Sequence, residues 1–162
     1  MNVKFKGNYV TLEGTHVKVG HPSPKFVVTD QELNAVESKN FTGKKVYVSV
    51  PSIDTPVCDT EVRRFNQEAA ALDNVSVYVI SMDLPFAQAR WCGAAGIDNI
   101  QVLSDYKKHD FGMEFGTYIK ELGLLTRAVF VVDETDTITY VEYCEEVTEE
   151  PNYANVLQAL KR

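Results

Sequence analysis

Two β-branched runs confine what this chain can fold into. Residues 45–50 (KVYVSV) and 75–81 (VSVYVIS) have the length of strands and little polar alternation, the pattern of strands covered on both faces of a sheet. Between them Cys58, Val62, Phe65, Ala69 and Leu72 recur at spacings of four, three, four and three, one apolar stripe of a helix. Strand, helix and strand in that order make a βαβ unit, whose two strands run parallel and end on the same edge of the sheet.

The remaining segments extend that unit. Residues 8–20 (NYVTLEGTHVKVG) alternate on either side of Glu13 and Gly14, so an N-terminal β-hairpin is expected within residues 1–20. Residues 21–30 (HPSPKFVVTD) add a short strand after a proline-held bend. Residues 85–95 read as a second helix, opened by Pro85 and closed by Gly93 and Gly96. A short strand at 100–103, a short helix at 109–115 and a hairpin of 127–132 (RAVFVV) with 137–143 (TITYVEY) follow. Tyr153, Val156, Leu157 and Leu160 give a closing helix its apolar face. No repeat or low-complexity linker divides the 162 residues. The expectation is one α/β domain over 1–162, a thioredoxin-like fold with a mixed central sheet flanked by helices and an N-terminal β-hairpin extension.

Charge narrows the partners. A formal net charge of -7, from 16 Lys and Arg against 23 Asp and Glu, opposes binding to nucleic acid or to an anionic membrane. The N-terminus holds no unbroken apolar stretch of the kind a signal peptide or membrane span needs, and a cytoplasmic location is expected. Three cysteines, Cys58, Cys92 and Cys144, are too few and too odd in number for a disulfide scaffold. In a reducing compartment any disulfide among them would be transient or catalytic.

Cys58 is placed where an anion is favoured. With Thr55 as N-cap and Pro56 as the first helical residue, it falls in the first turn, among unpaired N–H groups at the positive end of the helix dipole. A thiolate is such an anion. Complete ionisation raises the thiolate share at neutral pH from about 3% to nearly all, roughly thirty-fold. That gain is about 2 kcal/mol, against the ~8 kcal/mol or more that enzymes supply. The site therefore also needs donors for developing charge, such as the Thr55 hydroxyl, the Cys58 amide and a guanidinium. On local pattern alone, Cys58 as a small apolar residue filling a helix start is an equally good reading.

Cys92 follows the second strand, so both thiols emerge at one edge of the sheet, where open α/β folds place their sites. A disulfide needs Cα atoms within about 7 Å, and the short glycine-ended stretch WCGAAG suits local unwinding toward that distance. A packed helix residue is the alternative reading of Cys92. Cys144, followed by two glutamates, reads as structural, its thiolate opposed by the acidic surround.

PSIDTPVC and SMDLPFAQARWC together resemble the thiol peroxidase family, the atypical two-cysteine branch of the peroxiredoxins. The resemblance runs from the N-terminal hairpin through RAVFVVDE to EEPNYANVLQALK, with no departure at the chemical positions. It implies that Cys58 is the peroxidatic cysteine and Cys92 the resolving one, joined within one subunit as a disulfide. Thr55 and Pro51 are then expected to shape the pocket and Arg127 to bind and polarise a hydroperoxide. Neither Pro51 nor Arg127 stands out locally; one reads as a strand terminator, the other as a surface arginine.

The resemblance further implies a homodimer, thioredoxin as reductant, and apolar residues such as Phe86 and those near Leu124 that favour alkyl hydroperoxides. No metal or organic cofactor is expected, since His16, His21 and His109 have no ligand spacing with the cysteines. Two rivals share the activated thiol: a peroxide sensor, and a dithiol oxidoreductase, against which the absence of any CxxC speaks.

Overall fold

The computed structural model describes residues 1–161. Its frame is a seven-stranded mixed sheet built around the expected βαβ unit: β6 (Lys44–Ser49), α1 (Pro56–Ala70) and β7 (Val75–Ser81). β6 and β7 pair in parallel with Val48 opposite Val79. β8 (Gln101–Ser104) continues the parallel set beyond β7, following α2 (Pro85–Ala95). On the far side β11 (Ala128–Val132) lies antiparallel to β6, and β12 (Ile138–Tyr143) pairs with β11. β4 (Val27–Thr29) and β5 (Ala35–Glu37) close the other edge, giving the order β12-β11-β6-β7-β8-β4-β5.

Strand alternation divides the core between two faces. Val46, Val48, Val129 and Val131 point to one side, where they pack with Val62, Phe65 and Val156 of α1 and α4 (Tyr153–Leu160). Tyr47, Phe130 and Val132 point to the other, into an aromatic layer with Phe26 and with Phe111 and Phe115 of α3 (Asp110–Phe115). The unbroken apolar runs follow from this, because a strand covered on both faces has no position to spare for solvent. Among the described residues no helix is long and apolar enough to cross a membrane.

The N-terminal hairpin is present, but its turn is not at Glu13 and Gly14. β1 (Val3–Phe5) and β2 (Asn8–Val10) pair across Lys6 and Gly7, both at positive φ. Leu12–Glu13 forms β3, which joins β9 (Tyr118–Ile119) and β10 (Leu124–Leu125) in a separate small sheet. Gly14 is needed for two other reasons: its φ is 100°, and a Cβ there would run into the Met113 carbonyl oxygen. The glycine marks a close approach to α3 rather than a reversal. The hairpin is fastened to the body through Glu146, whose carboxylate accepts from the Gly7 amide at 2.7 Å and the Lys6 amide at 3.2 Å.

Candidate functional site

β6 ends at Ser49, and the chain turns through Pro51 to Thr55 before α1 begins. Asp83, just before α2, holds that turn: it accepts from the Ser52 hydroxyl at 2.7 Å and the Ile53 amide at 2.9 Å. Thr55 is the N-cap of α1, as expected, and its Oγ1 accepts the Cys58 amide at 3.4 Å. The same hydroxyl donates to the Ser52 carbonyl at 3.1 Å. The Thr55 hydroxyl and the Cys58 amide, expected as donors toward a bound molecule, thus spend their protons on the turn itself in this state.

The guanidinium is the group in contact with sulfur. Arg127 precedes β11 and is 2% exposed, so the surface-arginine reading fails. Its Nη2 donates to Cys58 Sγ at 3.0 Å, its Nη1 to Glu61 Oε1 at 2.5 Å and its Nε to the Val147 carbonyl at 2.7 Å. Three acceptors, two on α1 and one in the segment after β12, fix the fork in orientation, which a lysine's single ammonium would not achieve. Burial works against the Arg127 cation, but Glu61 and Cys58 more than offset it and its pKa lies above the ordinary value. Helix dipole and guanidinium both favour negative charge on Cys58, which has no exposed surface.

Glu61 was not anticipated. It sits three residues after Cys58 on the face α1 turns to the core and is fully buried. Burial pushes its carboxyl up to about 7 even against the pull of Arg127. Its second oxygen has no hydrogen-bond partner. An acid on an otherwise apolar stripe was the signal available in the sequence, because a carboxylate on the core side of a helix requires a buried cation.

Beside this cluster lies a cavity of about 280 Å3, lined by Pro51, Thr55, Leu124 and Arg127 together with Phe5 of the hairpin and Val147. Its wall is mostly carbon, with the Arg127 guanidinium as a polar group against Cys58. Leu124 is where it was expected. Phe86 is not: it is 67% exposed and outside the lining, because the buried Pro85 and Gln88 set the face α2 turns inward.

Cys92 is a free, buried thiol on α2. Burial raises its pKa, and the Gln31 amide, whose Nε2 donates to Cys92 Sγ at 3.4 Å, opposes the shift. Both helices begin at the C-terminal edge of the parallel strands, and Cys58 is the third residue of α1 while Cys92 is the eighth of α2. Both thiols are free, and a bond between them needs their Cα atoms within about 7 Å. The end of α2 is held by packing more than by hydrogen bonds: Gly93 and Ala94 are exposed and Gly96 caps the helix at φ 69°, while Cys92 and Trp91 pack into the core and Trp91 lies 5.7 Å from the Arg63 guanidinium of α1.

Cys144 follows β12, and its amide donates to the Arg127 carbonyl at 3.0 Å. Burial first, then the Glu142 and Glu61 carboxylates, push its thiol far up. It is placed as a packing residue. Among the described residues no group of three or more His, Cys, Asp and Glu is arranged to hold a metal ion.

Comparison with known proteins places this arrangement. The profile of the Redoxin family matches residues 18–157. A thiol peroxidase of Clostridium acetobutylicum is 59% identical over 159 residues, covering 98% of this chain and 97% of the relative. A thiol peroxidase of Bacillus subtilis is 53% identical over 160 residues, covering 98% of this chain and 96% of the relative. Among solved structures, a peroxiredoxin-like protein from Aquifex aeolicus superposes with a TM-score of 0.91 at 41% identity, over 99% of this chain and 95% of that one.

Proposed function

The chain belongs to the Redoxin family, and from that premise we propose that it is a thiol peroxidase that reduces hydroperoxides at Cys58 and resolves the product with Cys92. The contact that carries the reading is Arg127 Nη2 on Cys58 Sγ at 3.0 Å, beside a cavity that a small alkyl hydroperoxide fits.

In the first step the Cys58 thiolate attacks the terminal oxygen of the hydroperoxide along the O–O bond. The S–O bond forms, the O–O bond breaks, and the sulfur loses two electrons to become a sulfenic acid. The departing alkoxide or hydroxide takes up a proton and leaves as alcohol or water. Arg127 supplies the fixed positive charge toward which the peroxide oxygens are drawn, and Pro51 and Thr55 shape the wall that aligns them. The apolar lining with Leu124 and Phe5 suits an alkyl group over a second hydroxyl.

In the second step the Cys92 sulfur displaces hydroxide from the Cys58 sulfenic acid. The S–S bond forms within one polypeptide, and the hydroxide combines with the Cys92 proton as water. A dithiol reductant, thioredoxin by the family pattern, returns both cysteines to thiols by exchange. The enzyme works as a cytoplasmic homodimer in this proposal.

An assay coupled through thioredoxin and its NADPH-dependent reductase tests it. Wild type should consume peroxide over many cycles, Cys58→Ser none, and Cys92→Ser a single equivalent before stalling. Full activity in Cys58→Ser would remove the assignment. A wild type that stalls after one equivalent would point to a peroxide sensor instead.

A further inference from the structure

We propose that Gln31 is a positioning residue for the resolving step: its side-chain amide latches the Cys92 sulfur, and with it the end of α2, in the folded reduced position. This rests on the reading of Cys92 as the resolving thiol. Gln31 Nε2 donates to Cys92 Sγ at 3.4 Å across 61 residues of sequence. The side chain projects from the turn between β4 and β5, which is braced on itself: Asp30 Oδ1 accepts the Glu32 and Asn34 amides, each at 2.9 Å. A donor on a braced turn can hold a sulfur in the half of α2 whose other ties are packing contacts rather than side-chain hydrogen bonds to the sheet.

The remaining ties of α2 divide unevenly. Gln88, fully buried, donates to the Ser81 hydroxyl at 3.0 Å and the Leu103 carbonyl at 2.9 Å, and so anchors the first half of the helix to the sheet. Past Gln88 no side chain of α2 reaches the sheet by a hydrogen bond, and Cys92 borders an open cavity of about 470 Å3 with Gln31, Ile97, Tyr78 and Val102. Unwinding that begins after Gln88 therefore breaks one side-chain hydrogen bond to the rest of the fold at Cys92, the one from Gln31. Since Cys92 must leave this position to meet Cys58, the latch opposes disulfide formation. Its strength sets how long Cys58 stays as a sulfenic acid, exposed to a second peroxide and irreversible sulfinic oxidation.

The test uses the full chain with Gln31→Met, which keeps length without a donor, and Gln31→Glu, which replaces the donor with an acceptor. Two rates are read: alkylation of Cys92 in reduced protein, with Cys144 in the same sample as internal reference, and disulfide formation after one equivalent of peroxide. Loss of one hydrogen bond of ordinary net strength should raise both Cys92 rates by roughly three-fold or more. Cys144 alkylation should stay at the wild-type rate, and the sulfinic fraction at excess peroxide should fall. Unchanged or slower Cys92 rates overturn the latch. A rise shared equally by Cys144 also overturns it, because that is general loosening. If wild type forms no disulfide between Cys58 and Cys92, the resolving role falls, while the alkylation rates still decide whether Gln31 holds the sulfur.

Discussion

The two cysteine-bearing helix segments, the start of α1 and the finish of α2, are built on opposite terms. Cys58 is gripped by a side-chain cap, a helix dipole and a guanidinium that is itself fixed by Glu61 and Val147. Cys92 has one side-chain donor, Gln31, on a helix whose own N-cap, Leu84, makes no side-chain bond. The difference follows from the chemistry each thiol is proposed to perform. Attack on an O–O bond gains from a charge and a geometry already in place. Capture of the oxidised sulfur from a distance requires the other thiol to travel.

The contrast can be broken at either end. Arg127→Lys keeps the charge but cannot serve Cys58, Glu61 and Val147 together; peroxide reduction should slow about a hundred-fold in stopped-flow measurements. A rate within two-fold of wild type would show that fixed orientation is not what the first end supplies. Gln88→Leu removes the anchor that confines the loosening of α2. It should cost about 2 kcal/mol of stability in urea, and amide exchange in residues 85–90 should rise to join that of 91–96. Thr55→Val deletes the cap, with an expected loss of about 1 kcal/mol.

The smallest effect concerns pH. In the unfolded chain the Glu61 carboxyl titrates near 4.5, and in the fold burial raises it to about 7. Across that interval the folded state holds the extra proton, so this contribution to stability is complete below about pH 4.5 and is lost as pH rises through about 7. Glu61→Gln has no such proton. Its urea midpoint should vary less than that of wild type between those values, and an equal slope would mean that Glu61 is already ionised throughout.

Periodicity explains what was readable beforehand. The βαβ unit, the Thr55 cap and the α2 limits come from local spacing, and local spacing is where strands and helices declare themselves. The thioredoxin-like order of elements followed. The site was only half legible in the same way: Cys58 has a local signature, whereas Arg127 sits next to it through a pairing of β11 with β6 that no window of sequence contains. Arg127 and Pro51 entered through family resemblance alone. Glu61 leaves a trace, an acid on the core stripe of α1, that local spacing alone does not connect to Arg127. Gln31 left none, being a half-buried residue in a polar turn whose partner is on another element. Gly14 misled for a physical reason, since glycine permits both a reversal and a close approach.

Trp91, the chain's single tryptophan, precedes Cys92, and the Arg63 guanidinium of α1 lies over its ring, so on the proposed resolving step the indole would move with the cysteine. An indole in that position loses its cationic neighbour whenever the segment departs and regains it when the segment returns. The protein thus carries its own optical gauge: each turnover should register as a change in intrinsic emission, with no dye attached.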